Sequence, residues 1–142
     1  MKHVIKCRGI SPGRATGEVL LCRQPIGFNF GFDCATGKVI EYNHELENIS
    51  IKDKILVFPY GKGSTGGSYV IYQLAQMGTG PKAIINLVTE TIITCGAIMG
   101  HLPVVDRLSE DPFSALRNGD IVTVDADSEQ VIIEEASHDS AR

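Results

Sequence analysis

Apolar positions in this chain follow two rhythms, and the two predict different elements. Ile55-Leu56-Val57-Phe58 and Ala83-Ile84-Ile85-Asn86-Leu87-Val88 are nearly continuous apolar runs, the pattern of buried strands. Between them Val70, Ile71, Leu74 and Met77 recur at helical spacing and mark one apolar face of a helix over 68–77. Residues 120–125 and 130–134 alternate on either side of Ser128-Glu129 as a β-hairpin. Further strands are predicted over 3–10, 17–22, 38–41 and 103–105, with a second, short helix over 91–100. Ser11-Pro12-Gly13 makes a turn, and Gly78-Thr79-Gly80-Pro81 stops the first helix. Residues 25–37 form a glycine- and aromatic-rich loop without a period, and the polar segment 42–54 is expected to cross the surface. Strands outnumber helices, and the helices come singly between them. The expected fold class is α/β, an open β-barrel or sandwich with a few helices laid against it. Neither a repeat nor a linker divides the chain, so one domain is expected over 1–135, followed by a polar, disordered tail over 136–142.

The stretch 55–77 carries the chemistry. Its strand ends at Pro59, and the turn Gly61-Lys62-Gly63-Ser64-Thr65-Gly66-Gly67 leads straight into the helix. Four glycines in seven residues exceed what capping needs. Glycine is costly in chain entropy and is best explained by positive φ or by close approach of a ligand to the backbone. Unpaired N–H groups and the positive end of the helix dipole point out of such a turn. It therefore suits an anionic small-molecule substrate, and a serine there sits in a field that favours its alkoxide. Ser64 is the candidate reactive group, with Lys62, Gly63, Thr65 and Gly66 around it as substrate-binding positions. Simple capping is the alternative for Ser64, because serine satisfies orphan N–H groups at helix starts. A nucleotide P-loop is excluded by residue order. That motif requires Gly-Lys followed directly by Ser or Thr, whereas Gly63 separates Lys62 from Ser64. Asp33 is a further candidate, in a loop too long and apolar to be mere connection. A plain Asx-turn before Thr36-Gly37 is its alternative.

Composition narrows the partners. With 142 residues, 43% hydrophobic and 21% charged, the chain is an ordinary domain with a real core. A net charge of −4 without a basic block argues against a nucleic-acid partner. No apolar stretch approaches the roughly 20 residues of a membrane span. The apolar part of the N-terminus is too short for a signal peptide, so a cytoplasmic location is expected. Cys7, Cys22, Cys34 and Cys95 are scattered without a CxxC pair, poor spacing for a zinc or iron–sulfur site. They are expected as free thiols packed like small apolar groups. Cys95 could act as a nucleophile, but no His lies near it in sequence. His44 in its polar loop and His101 at a helix end read as surface or capping residues.

The turn at 61–68 resembles the serine loop in the swivel domain of the aconitase superfamily, where a Gly-x-Gly-Ser-Ser turn carries the serine that acts as base in dehydration. The closer similarity is to the small subunit of aconitase X. It rests on the Ser-Pro-Gly turn at 11–13, the aromatic-Gly-x-Asp-x-x-Thr-Gly loop at 30–37 and the Gly-Lys-Gly-Ser turn at 61–64, and it covers nearly the full chain. The resemblance implies a swivelling β/β/α fold and a hydro-lyase small subunit, active only with a large subunit that holds a 4Fe–4S cluster. Ser64 would be the proton acceptor, and this chain would bind no metal. The implied reaction is dehydration of (R)-5-phosphomevalonate to trans-anhydromevalonate 5-phosphate, in an archaeal mevalonate route to isoprenoids. One departure bears on substrate. Aconitase itself follows its two serines with an arginine that grips a carboxylate, whereas Gly66 and Gly67 follow Thr65 here, so a planar bidentate clamp is absent and citrate is not expected.

Two other readings stand beside this one. Residues 8–17 and the 83–105 run also resemble the phosphohistidine swivel domain of phosphoenolpyruvate-using enzymes. In this chain Cys95 occupies the place of the required histidine, and without that nitrogen the phosphoryl chemistry is gone. A non-catalytic regulatory subunit is the third reading.

Overall fold

The computed structural model describes residues 3–63 and 65–137. In chain order the elements are β1 (His3–Lys6), β2 (Arg8–Ser11), β3 (Arg14–Leu21), β4 (Ile26–Gly27), β5 (Phe32–Asp33), β6 (Lys38–Val39), β7 (Lys54–Phe58), β8 (Gly61–Lys62), α1 (Gly66–Met77), β9 (Ala83–Asn86), α2 (Thr91–Met99), β10 (Val104–Asp106), α3 (Pro112–Ala115), β11 (Ile121–Asp125) and β12 (Gln130–Glu135). Eight strands make one mixed sheet in the order β1-β12-β11-β3-β7-β9-β10-β2. The central pairs β3–β7, β7–β9 and β9–β10 are parallel and the outer ones antiparallel.

The apolar runs are continuous because these strands are covered on both faces. Along β7, Leu56 and Phe58 join Ile84 and Val104 against Ile71 and Leu74 of α1 and Ile93 and Ala97 of α2. Ile55 and Val57 face the other way, with Ala83, Ile85 and Val105, into a second cluster containing Ile5, Val122, Val124 and Val131. The period of two along each strand thus divides one apolar run between two cores.

The expected single strand over 3–10 is divided. β1 pairs with β12 at one end of the sheet, and β2 pairs with β10 at the other. Cys7 lies between them, its N–H donating to the carbonyl of Glu129 at 3.1 Å. One stretch of chain therefore joins both ends of a curled sheet, and among the described residues no ladder closes it into a barrel. Residues 42–54 do more than cross the surface. Leu46 and Ile51 are buried in the helix-side core, and so is His44, contrary to the surface reading. His44 Nδ1 accepts from the Leu46 N–H at 3.1 Å, and Nε2 lies 3.2 Å from the Pro25 carbonyl. Isolated apolar anchors in a polar segment produce no periodicity, so sequence pattern passes over them. The short helix α3 was not anticipated either, although Asp111-Pro112 is a start signal. The Asp111 carboxylate accepts from the Phe113 N–H at 3.0 Å, with proline at the first helical position. Ser137 is tied by its N–H to Asp120 at 2.7 Å, and residues 138–142 of the expected tail lie outside the described residues.

Arg8 and Asp106 lock the β2–β10 edge. The guanidinium donates Nε–H to Oδ1 at 2.9 Å and Nη2–H to Oδ2 at 2.8 Å, and the Thr89 N–H donates to Oδ2 at 2.7 Å. Burial pushes the Asp106 carboxyl up, but the Arg8 hydrogen bonds, the Thr89 N–H and the guanidinium charge together hold it below its ordinary value. A carboxylate depressed in the folded state stabilises the fold above its unfolded pKa of about 3.9, and the contribution is lost as pH falls through the folded value. Asp106→Asn is accordingly expected to lower the melting temperature at neutral pH and to flatten its decline in acid. Thermal unfolding followed by circular dichroism from neutral pH to about pH 3 checks this, and parallel curves for the two proteins would contradict it.

Candidate active site

The turn after β7 is held from three sides. The Tyr60 carbonyl accepts from the Ile26 N–H at 3.3 Å, and β8 pairs parallel with β4, so the 26–29 segment runs beside the turn. Gly63 has φ 101°, a left-handed conformation that a side chain would strain. Gly66 is needed for close approach, because a Cβ there would lie 2.9 Å from the Asn29 side-chain amide. From the third side, the Ser68 hydroxyl donates to the Ile92 carbonyl at 2.8 Å and binds the first turn of α1 to α2. The Glu90 carboxylate caps α2, accepting from the N–H groups of Ile92 and Ile93 at 2.9 and 2.8 Å.

Ser64 itself lies outside the described residues; its two neighbours do not. Thr65 stands at the N-cap position of α1, in helical backbone conformation and with no capping hydrogen bond from its hydroxyl. Lys62 is paired, its Nζ lying 3.1 Å from Oε2 of Glu41, with both side chains half-exposed. An anion approaching this ammonium must therefore compete with Glu41.

Sequence reasoning missed both Glu41 and Asn29. Glu41 is separated from Lys62 by 21 positions and carries no motif of its own. Asn29 left only an indirect signal, the glycine at 66 that makes room for it.

Asp33 has other partners. Its Oδ1 accepts from the Ala35 N–H at 3.0 Å and its Oδ2 from the Thr36 hydroxyl at 3.0 Å, the contacts of an Asx-turn. The next carbonyl, of Cys34, accepts from the Thr79 hydroxyl at 2.7 Å, just past the C-terminus of α1. The helix has twelve residues, so its two ends are about 18 Å apart. The 25–37 loop thus runs along α1, with Asn29 at the serine turn and the Asp33 turn anchored at the far end. Phe28 fixes its near half. It stacks on Phe32 with ring centroids 4.8 Å apart and packs tilted on Phe58 of the sheet at 6.1 Å.

Cys7 and Cys22 are not activated thiols. Cys22 Sγ lies 4.0 Å from His44 Nε2, a pairing that could suggest a nucleophile. Burial pushes this thiol up to about 11, so it stays protonated at neutral pH. Burial and nearby carboxylates push Cys7 up to about 12. Cys95 is exposed on α2, and His101 is exposed just beyond that helix with φ 55°. Among the described residues no three His, Cys, Asp or Glu side chains are grouped to hold a metal, and no helix is long and apolar enough to cross a membrane.

A curled, mixed sheet that carries two helices on one face and presents a glycine-rich turn at a helix start defines a class, the swivel-type α/β domain. The chain belongs to the aconitase X swivel domain family, whose model matches residues 4–133. It is 52% identical over 120 residues to the phosphomevalonate dehydratase small subunit of Methanosarcina acetivorans, covering 84% of this chain and 83% of that one. The protein of the same name from Methanococcoides burtonii is 50% identical over 124 residues, covering 87% and 90%. Among solved structures it is similar to the holo-form of Thermococcus kodakaraensis aconitase X, with a TM-score of 0.87 and 47% identity over 94% of this chain and 99% of that one.

Proposed function

We propose that this chain is the small subunit of a cytoplasmic hydro-lyase that dehydrates (R)-5-phosphomevalonate, with Ser64 as the proton acceptor. The observation that carries this is 50–52% identity, over more than four fifths of the chain, to relatives named as that dehydratase's small subunit. Dehydration removes a proton beside the carboxylate and expels the β-hydroxyl. A 4Fe–4S cluster in the large subunit supplies Lewis acidity for the departing hydroxyl when bound. The donor set described in this chain does not fit such a cluster, so its own part is confined to the proton and the anionic groups.

The serine hydroxyl is a weak base and needs its alkoxide stabilised. The N–H groups at the start of α1 and the helix dipole do this locally, each worth about 0.3–1 kcal/mol. The backbone of Gly63, Thr65 and Gly66 offers donors to an anionic substrate at that end of the helix. Lys62 adds a cation once the substrate displaces Glu41. Asp33 serves by holding the loop, since its carboxylate is committed to the turn.

Lys62→Ala is expected to raise KM on the order of tenfold, the scale of one charge-assisted hydrogen bond, with a smaller change in kcat. An unchanged KM would remove Lys62 from substrate binding. The function itself is tested by mixing the purified chain with the large subunit and following the phosphorylated substrate and product by phosphorus NMR. Turnover only with both chains is expected, and full turnover by the large subunit alone would overturn the reading.

A further inference from the structure

We propose that Asn86 is a positioning residue for the glycine-rich turn, fixing the end of β7 from which the turn departs. The inference rests on the functional reading given above. Asn86 closes the run Ala83-Ile84-Ile85 of β9 and, like those three, is fully buried. A buried amide in an apolar strand costs stability unless both of its ends are paired. Only one end is paired here. Nδ2–H donates to the Phe58 carbonyl at 2.9 Å, while Oδ1 is buried and meets no partner among the described residues. An apolar side chain would fill the site without that cost, so what distinguishes asparagine is its bond to Phe58.

Phe58 is the last residue of β7 and stands opposite Asn86 in the parallel ladder. The next residue, Pro59, has no N–H and cannot continue that ladder. Donors from 86–88 take over. Besides the Asn86 amide, the N–H groups of Leu87 and Val88 both donate to the Pro59 carbonyl, at 3.0 and 3.4 Å. Of these donors Asn86 alone is a side chain, so it is the one that a substitution removes. The turn then packs on the same segment, since a Cβ at Gly61 would lie 2.6 Å from Glu90 Oε1 and 2.7 Å from the Ile93 side chain. The segment is itself anchored. The Arg107 N–H donates to the Leu87 carbonyl at 3.1 Å, the Thr89 N–H to Asp106 at 2.7 Å and the Thr94 hydroxyl to the Glu90 carbonyl at 3.0 Å.

A turn that takes part in a reaction must be held closely, because a misplacement of about 1 Å can cost on the order of 100-fold in rate. The backbone donors of the turn cannot compensate for a shift of their own chain. The Lys62 ammonium can, because it rides on a flexible four-carbon stem. Loss of the Asn86 bond should therefore act on kcat more than on KM.

The test compares Asn86→Val with Val122→Ala in the chain assembled with the large subunit, following turnover by phosphorus NMR. Asn86→Val removes an unpaired acceptor but leaves the Phe58 carbonyl without its donor, so its melting temperature should shift by only a few degrees. Its kcat at saturating substrate should fall about tenfold, with KM changed by less than about threefold. Amide hydrogen exchange at 60–63, measured on the chain alone, should quicken by about tenfold. Val122 is fully buried in the second core, on the other face of the sheet from the helices. Val122→Ala should therefore melt lower than Asn86→Val and yet keep kcat within about twofold. Stability and rate would then fall in opposite order in the two variants, which a merely structural asparagine could not produce. If Asn86→Val does not fold, Asn86→Ser, with a shorter donor, carries the same comparison with a smaller loss of kcat.

An unchanged kcat in the Asn86 variant, beside an active unmodified pair, would overturn the positioning role and leave the functional reading intact. A loss of kcat that Val122→Ala matches would also overturn it, by assigning the effect to general destabilisation. An unmodified pair without turnover would sink the functional reading and the positioning role together.

Discussion

Replacing Ser64 with Ala in the assembled two-subunit enzyme is expected to lower kcat by about 10²- to 10⁴-fold, the usual share of a general base. Assembly and melting temperature should stay near those of the unmodified protein. A purely capping serine would cost about 1 kcal/mol of stability and spare the rate. Ser68→Ala is the matched control. Its hydroxyl is occupied by the Ile92 carbonyl at 2.8 Å, so its removal should cost about 1 kcal/mol of stability with kcat nearly unchanged. Near-normal kcat in the Ser64→Ala complex at saturating substrate would take the catalytic base away from this chain.

Phe28→Ala is expected to have the largest effect on stability, about 3–5 kcal/mol. The ring is 2% exposed and holds three parts of the molecule together: Phe58 of the sheet, Phe32 of the loop, and the first turn of α1 near Gly67. Each aromatic pair adds on the order of 0.5–1.5 kcal/mol beyond burial. Against a total stability of about 5–15 kcal/mol the loss should lower the melting temperature by on the order of 10 °C. Because Asn29 follows directly and meets Gly66, amide hydrogen exchange should also quicken at 28–33 and in the first turn of α1. Phe28→Leu, which keeps most of the apolar volume, should recover much of both effects. A fall of only a degree or two for Phe28→Ala would mean that the aromatic stack is not what ties the loop to the sheet.

Much of this protein is local and therefore legible in its sequence. The buried runs at 55–58 and 83–86, the terminal hairpin and the two longer helices follow from which faces are apolar, a property of neighbours a few residues apart. The turn between β7 and α1 announces itself because glycine is tolerated in such density only for a backbone reason, and Gly63 and Gly66 show two of them. Other features had no local cause. The stretch 3–10 looks like one strand, and only the curl of the sheet sends β1 to β12 and β2 to β10. His44 sits in a polar segment, yet Leu46 and Ile51 carry it into the core. Lys62 acquires Glu41, and Gly66 acquires Asn29, from loops distant in the chain. Asp33 shares a loop with Asn29, but α1 holds the two against its opposite ends. By itself the sequence determined the main buried strands, the two longer helices and the glycine-rich turn, because burial of a face and the demands of a tight turn are settled within a few residues. The tertiary structure alone decided which strands pair and what surrounds the turn, because those contacts exist only once distant segments are packed on a common core.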